Sequence, residues 1–511
     1  MKNVAKRLLA LAVALMMILA VVPMVVSAAP TIPTTAWWGN HDYSWYNTTD
    51  TSFEIDTPRK LAGLIVVTQS YTCAGQTFYI TQDIDLGAHL WEGLSKNANG
   101  AGFRGNIVGK KNGVEGAAVT ISNMIVSRSS EASGFIRFME AGTIANITFD
   151  NAYVTSSAQY AVVCGRYRAA GAVRFENITV RNSELVAYGS YAGATGFIVA
   201  EGNSMHNTNN PITLVNCSVI DSTMYDKAAT AHANVKGALV GKQAWGSIAF
   251  DGCKVLGTTI TSQSTGAVVI GALVGSDDAG GTFTMKNCEI DAIGSFNAKI
   301  VGNGAAAYDI TAPTMIDGAS IRTTEGENGL RFTSVMNKAD LDKLGATYSF
   351  GTVVAVANEL TDGVTFTVAG LNAAGVTKYT TIKAVNGIYE NYDGANGVKF
   401  NAALIDIADK ATEFAARSYV DVTASGLTIR VYSAFDAAKN ERSMEYVANK
   451  ALNDVKDVKE EAITNGFAYC FAVSEYNSDA TGTACTMTEG TKYSCYAPSE
   501  WEVLKTWSSA T

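Results

Sequence analysis

Proline and histidine are scarce in this chain of 511 residues: there are seven prolines, and four histidines at 41, 89, 206 and 232. With no histidine at ligand spacing, neither a metal nor a cofactor is expected. Positive charge is also short. The formal net charge is −9 and charged residues make up only 17%. An acidic chain without clustered Lys and Arg suits nucleic acid badly, so no such partner is expected. There is no H-E-x-x-H for a metallopeptidase, no G-x-S-x-G for a hydrolase elbow and no D-x-D-x-D-G calcium loop. Long apolar runs are confined to the start. Lys2, Lys6 and Arg7 precede "LLALAVALMMILAVV", and "VVSA" ends in small residues, the pattern of a signal peptide over 1–28 cleaved after Ala28. A retained anchor competes, because the run approaches bilayer-spanning length. Cleavage removes three cations and takes the charge from −9 to −12. The mature chain is then expected to be soluble, exported and without a membrane span, free or associated with the cell surface.

What is abundant is glycine (47) and a 47% apolar fraction, much of it in short runs of Val, Ile and Ala. That mixture favours many short strands joined by glycine turns. Five of these runs form a repeat. Asn146, Asn177, Asn216, Gly252 and Asn287 are spaced 31, 39, 36 and 35 apart, and each precedes one apolar residue: Ile147, Ile178, Cys217, Cys253 and Cys288. A second motif keeps step between them: "VVCG" ending at 165, "FIVA" at 200, "GALVG" at 241 and 275, and "KIVG" at 302. One unit cannot bury its own apolar face, whereas stacked units bury a continuous core. The expected architecture is mainly β: a right-handed parallel β-helix with an N-terminal helical cap, followed by a smaller α+β domain. The Asn step predicts a ladder of side-chain amides between units. Cys217, Cys253 and Cys288, with Ile147 and Ile178, read as an inward structural ladder of small hydrophobes, not a metal site, because a column is linear and a metal needs convergent ligands.

"GALVG" at 237–241 and 271–275, followed by an Asn/Gly-Cys-x-Val/Ile strand, resembles the GLUG-type repeat of secreted bacterial surface proteins. The likeness spans about 53–305 and implies a β-solenoid. It departs from the family pattern at Ala238 and Ala272, where a second glycine is common, and in its irregular early spacing. "DTPRKLAGLI" predicts a helix with Thr57 as N-cap and Pro58 at the first position, the cap that shields an open solenoid end. Near Pro313 the composition changes. "GASIRTTEGENGLRFTS", "FAARSYV" and "ERSMEYVANKAL" are similar to a module appended to many exported proteins of Gram-positive anaerobes, which carries no agreed catalytic role. Apolar stripes predict amphipathic helices over 401–417 and 440–455 among strands. Arg322, Arg331, Arg417 and Arg442 are expected in buried bidentate pairs with Asp or Glu, with a cationic ligand site as the alternative. Cys485 and Cys495 could close a short loop as a disulfide, leaving Cys470 over. The resulting division is a signal peptide at 1–28, an aromatic segment at 29–52, a cap and lead-in at 53–118, parallel repeats at 119–310 and an α+β domain at 311–511.

Chemistry is harder to find. A glycosidase needs two carboxylates across one cleft. The weak candidates are Asp277 with Asp278, and Asp83 with Asp85, neither accompanied by a His or Arg–Lys cluster. "TTAWWGNHDYSWYNTTD" places Trp37, Trp38, Tyr43, Trp45 and Tyr46 within ten residues. Exposed, they would be a ligand platform for a carbohydrate or a host or cell-surface protein; buried, they would close the end of the stack. Trp91 and Trp245 read as turn or core-edge residues. The reading that follows is a secreted, non-catalytic binding, adhesion or display protein. A β-helix polysaccharide lyase or glycoside hydrolase and a structural spacer are its rivals.

Overall fold

The asparagine step is where the chain bends. φ is +57° at Asn146, +51° at Asn177, +50° at Asn216, +65° at Gly252 and +54° at Asn287. This left-handed region admits glycine freely and asparagine more readily than other residues. Five residues on there is a second bend, at Asn151, Asn182, Asp221 and Gly257, with φ between +46° and +61°; Asn123, at +55°, is the matching residue of the unit before. The computed structural model describes residues 30–450, apart from 96–101, 129–131, 158, 169–170, 188–192, 203–211, 228–233, 244–245, 264–267, 278–282, 292–299, 305–309, 317, 323–328, 362–363, 386–387, 393, 425 and 448–449. The leader, Trp245, Asp278, Cys470, Cys485 and Cys495 lie outside the described residues.

Between bends the chain is extended, and each unit pairs with the next in parallel. Strands take 51% of the structure and helix 10%, so the protein is mainly β. One sheet runs from Ser52–Ile55 through Thr77–Ile80, Asn106–Gly109, Gly142–Asp150, Val173–Arg181, Ile212–Val215 and Ile248–Asp251 to Phe283–Asp291. A second takes Ile125–Arg128, Tyr153–Ser156, Glu184–Ala187, Thr223–Asp226 and Thr259–Ser262. A third takes Ile136–Met139, Cys164–Tyr167, Val199–Gly202, Val240–Gln243, Val274–Asp277 and Val301–Gly304. Because consecutive units pair in register, equivalent residues fall on one column. Phe175, Ile178 and Val180 of one strand are buried, and so are their counterparts above and below.

The second motif is explained by close backbone approach. A Cβ on Gly241 would lie 2.5 Å from the carbonyl oxygen of Ala200, and one on Gly275 would lie 2.4 Å from that of Gly241. The glycines of "GALVG" therefore let adjacent units touch backbone to backbone. Ahead of the repeats, the helix Pro58–Val67 starts where the sequence places it. The Thr57 hydroxyl accepts from Lys60 N, and Leu61, Leu64, Ile65 and Val67 are buried in the same core as the repeats.

The predicted helix over 401–417 is overturned. Gly397–Ile405 is a strand paired antiparallel to Gly329–Asn337, with Val398, Phe400 and Ala402 buried. Phe414–Ala424 is another, paired along Thr347–Val356. The turn between them is set by Asp406 at φ +59° and by Asp409, which accepts from Ala411 N and Thr412. A ladder of nine pairs outweighs a helical spacing that arose from Ala-rich composition. Of the second predicted helix, residues 444–447 are helical, with Met444 and Val447 buried.

The C-terminal strands also extend the repeat sheet. Leu427–Tyr432 pairs in parallel with Phe283–Asp291, placing Ile429 beside Cys288. Arg417 fastens this junction: it is 3% exposed and donates to Asp291 Oδ2 at 3.1 Å, to Ser433 O at 2.8 Å and to Phe366 O at 3.1 Å. The expected carboxylate pair is thus present, but with one carboxylate oxygen and two backbone carbonyls. Arg442 donates to the carbonyls of Ala438 and Glu441. The Arg322 side chain lies outside the described residues.

Two outcomes follow from these contacts. Asn177 donates to Asn146 Oδ1 at 2.8 Å and accepts from Asn216 Nδ2 at 3.1 Å. Asn177→Ala should cost roughly 2–3 kcal/mol, from two lost hydrogen bonds and a left-handed alanine. Asn177→Gly keeps the backbone and should lose less; thermal midpoints in the opposite order would refute this account. Asp291→Ala leaves Arg417 buried and unpaired, at a cost of about 3–5 kcal/mol. Hydrogen exchange should quicken across Leu427–Tyr432, and Arg417→Met added to Asp291→Ala should slow it again.

Candidate ligand platform

The aromatic segment after residue 36 is pressed onto the helix Pro58–Val67 at one glycine. A Cβ on Gly63 would lie 2.0 Å from Asp42 O, a contact no other residue type permits. Asp42 N donates to Arg59 O at 2.8 Å, and Trp45 Nε1 donates to Asp42 O at 2.7 Å. The Asp42 carboxylate takes the Ser44 hydroxyl at 2.7 Å and Ser44 N at 3.0 Å, and these bonds, the hydroxyl first, hold its pKa below the ordinary carboxylate value.

Pinned this way, the five candidate rings divide. Trp37 is 4% exposed, donates Nε1 to Leu86 O at 3.1 Å and meets His89 edge to face at 4.7 Å. Trp45 packs against Phe53 and Phe78 at 5.5 and 6.0 Å, and Tyr46 donates its hydroxyl to Gln76 Oε1. These three serve the core. Trp38 and Tyr43 are each 52% exposed. His41 bridges them, its ring 6.0 Å from Trp38 and 5.7 Å from Tyr43. His41 Nδ1 accepts from Gly39 N at 2.9 Å.

Glu92 completes the surface, and sequence reasoning missed it. Its Oε1 accepts from Trp38 N at 3.0 Å, while Oε2 is shielded and has no hydrogen-bond partner among the described residues. Burial raises its pKa, against the opposing bond from Trp38 N and the charges of Arg128 and His41. Arg128 Nη1 donates to Glu92 O at 3.1 Å. No spacing rule could have linked Glu92 to Trp38. They meet because Trp37 N donates to Leu90 O and Leu90 N to Thr35 O, a short parallel bridge across more than fifty residues. The result is two exposed ring faces, an imidazole between them and a carboxylate whose Oε1, at the surface beside Trp38 N, keeps a lone pair to share while Oε2 is enclosed. That set can stack on an apolar ring face and accept a hydroxyl.

The other candidates whose side chains are described are occupied structurally or enclosed. Asp83 accepts from Lys111 Nζ at 2.6 Å and from Thr120 N at 2.9 Å; burial alone would raise its pKa, but these bonds outweigh it and hold it low. Asp85 Oδ1 accepts from Gly87 N and Asn123 Nδ2. Asp277 ends the strand Val274–Asp277, and its side chain lies outside the described residues, as does Asp278 altogether. Asp226 and Lys236 form an ion pair at 3.5 Å, but both side chains are 0% exposed.

Ile147 pairs with Ile178, and Cys217, Cys253 and Cys288 follow on the same column, all 1% exposed or less. The three cysteines are free thiols. Burial holds the Cys217 thiol well above its ordinary pKa; at Cys288 the bond to Cys253 comes first and burial second. Thiols enclosed in this way are closed to substrate and to a metal ion. Trp91 is a core residue, 1% exposed and stacked on Phe135 at 5.3 Å.

The division of the rings has a direct consequence. Trp37→Ala should cost about 3–5 kcal/mol in urea unfolding. Trp38→Ala and Tyr43→Ala should each shift stability by less than ~0.5 kcal/mol, as exposed positions do. Equal losses at Trp37 and Trp38 would mean that the outer rings are core as well. No protein family, no curated protein and no solved structure matches this chain.

Proposed function

We propose that this chain is a secreted or cell-surface, non-catalytic carbohydrate-binding protein built on a GLUG-type right-handed parallel β-helix. In this reading the helix Pro58–Val67 caps the N-terminal end, and the leader over 1–28 exports the chain. Parallel register between successive units and paired left-handed bends at fixed separation support the β-helix. The buried face of the helix, which shares the repeat core, supports the cap.

The observation that carries the binding role is the exposed pair Trp38 and Tyr43, with the half-buried His41 between them, beside the half-buried Glu92. Pyranose rings offer apolar C–H faces ringed by hydroxyls, so they match flat aromatics next to a carboxylate acceptor. The core-facing Trp37, Trp45 and Tyr46 hold the platform rigid, which lowers the entropy lost on binding.

Affinity electrophoresis of the full chain in gels containing soluble neutral polysaccharides tests this. At least one polymer should retard the protein, and Trp38→Ala with Tyr43→Ala should abolish retardation at unchanged thermal midpoint. Absence of retardation by any neutral polymer would favour a spacer, and turnover of the polymer an enzyme. A pH series tests Glu92 separately. Its pKa lies above the ordinary 4.5 because of burial, so the ionised acceptor is lost as pH falls through a value higher than that. Binding should weaken on acidification above pH 4.5, and Glu92→Gln should flatten the profile. An unchanged profile in Glu92→Gln would remove Glu92 from the site.

A further inference from the structure

Among the described residues two ion pairs are enclosed, and they satisfy their charges differently. Arg417 spends its guanidinium on Asp291 and on two backbone carbonyls. Lys236 has no such set. Its Nζ lies 3.5 Å from Asp226 Oδ2, both side chains are 0% exposed, and no hydrogen bond reaches that nitrogen. Lysine–carboxylate pairs elsewhere, such as Lys111 with Asp83 and Lys378 with Glu359, stand at the surface, where water solvates both ions.

Register brings the two groups together. Asp226 ends the strand Thr223–Asp226, and Lys236 lies in Asn234–Gly237, the next strand of the same unit. In the adjacent units Asp226 is matched by Ala187 and Ser262, and Lys236 by Thr195 and Ile270. The pair is therefore peculiar to one level of the stack, unlike the repeated columns around it. Ser262 Oγ donates to Asp226 Oδ2 at 3.0 Å and holds the carboxyl group in place. Burial pulls the Lys236 pKa down, against the opposing pull of Asp226. An enclosed ammonium without hydrogen bonds is costly, and passing its proton to the carboxylate leaves a neutral amine beside a neutral acid.

We propose that Lys236 and Asp226 join in an intramolecular amide bond between Nζ and Cγ. The proton that the ammonium loses is the one that the carboxylate gains, so the pair supplies its own acid and base. The Nζ lone pair attacks Cγ of the acid, and the Cγ–OH bond breaks. That hydroxyl leaves as water with one of the two remaining amine protons, and the other stays on the amide nitrogen. Nothing is oxidised or reduced, and no co-reactant is consumed. Holding amine and carboxyl in contact removes the entropy cost that makes such a condensation slow between separate molecules. The product exchanges two buried charges for one neutral amide and closes the chain covalently between 226 and 236. This cross-link is independent of the carbohydrate-binding reading.

A tryptic map of the folded full chain, read by mass spectrometry, tests this. Without the bond, trypsin cuts after Lys227, Lys236 and Lys242. With it, the acylated Lys236 is no longer a cleavage site. Peptide 182–227 should then stay joined to peptide 228–242, at their summed mass less one water, and fragmentation should place the branch at Asp226 and Lys236. Lys236→Arg keeps the positive charge without a nucleophilic amine, and it should release the two arms as separate peptides of full mass. The wild-type map decides the matter even where that variant folds poorly. Free peptides 182–227 and 228–236 from the folded wild-type chain after prolonged incubation would overturn the bond. A loss of water that maps to any other pair of residues would overturn it equally.

Discussion

The structure depends on one backbone constraint: consecutive units must bend at the same two residues so that every strand meets its counterpart in register. A left-handed residue at each bend turns the chain without breaking the parallel ladder, and asparagine suits it twice over. It tolerates the positive φ, and its amide can bond the amide of the next unit, as Asn177 does to both Asn146 and Asn216. Where the ladder stops, the reason is visible. Gly252 occupies the bend with no side chain, and a Cβ there would lie 2.4 Å from Asn216 Oδ1. Asn287 then donates to Asp251 instead. The second bend is handled by hydroxyls on the following residue: Ser183 accepts from Ala152 N, and Ser222 accepts from Ser183 N.

These columns explain what could be read from the sequence. A position that recurs in the fold under the same steric demand must recur in the sequence, so the Asn step and the "GALVG" glycines are conspicuous. The second bend is less so, because Asn, Asp and Gly share it and no neighbouring motif marks it. The C-terminal region has no repeat to constrain the reading. There Leu404, Ile405, Ala408 and Ala411 fall at helical spacing by composition, while strand pairing to Gly329–Asn337 decides the outcome. Among candidate site residues, the sequence exposes the cluster of rings but not which of them face outward. That choice is made by Gly63 and by the bridge to Leu90, both long-range contacts.

Register also governs how the chain ends its stack. A parallel sheet with an open last strand presents unpaired backbone donors and acceptors, an invitation to edge-to-edge association. Here Leu427–Tyr432 takes the open edge of Phe283–Asp291, and Ile429 continues the column of buried residues beyond Cys288. Arg417 ties the arrangement to Asp291 from the neighbouring strand. The C-terminal region is therefore joined to the repeats through both backbone pairing and a buried charge pair, and Tyr432 and Leu256 meet in one apolar cluster across the junction.

The same economy bears on where function can reside. Buried columns are filled by branched aliphatics, aromatic rings and enclosed thiols, and both side chains of the Asp226–Lys236 ion pair are fully buried. Carboxylates at the strand ends, such as Asp83 and Asp85, are consumed by turns. Exposed rings accordingly sit where repetition is interrupted, as at the segment laid over the helix. Register demands the same residue at every level of the stack, whereas recognition needs a unique set of groups in one place. A chain of this design meets both demands by leaving the columns to stability and placing unlike residues at the ends.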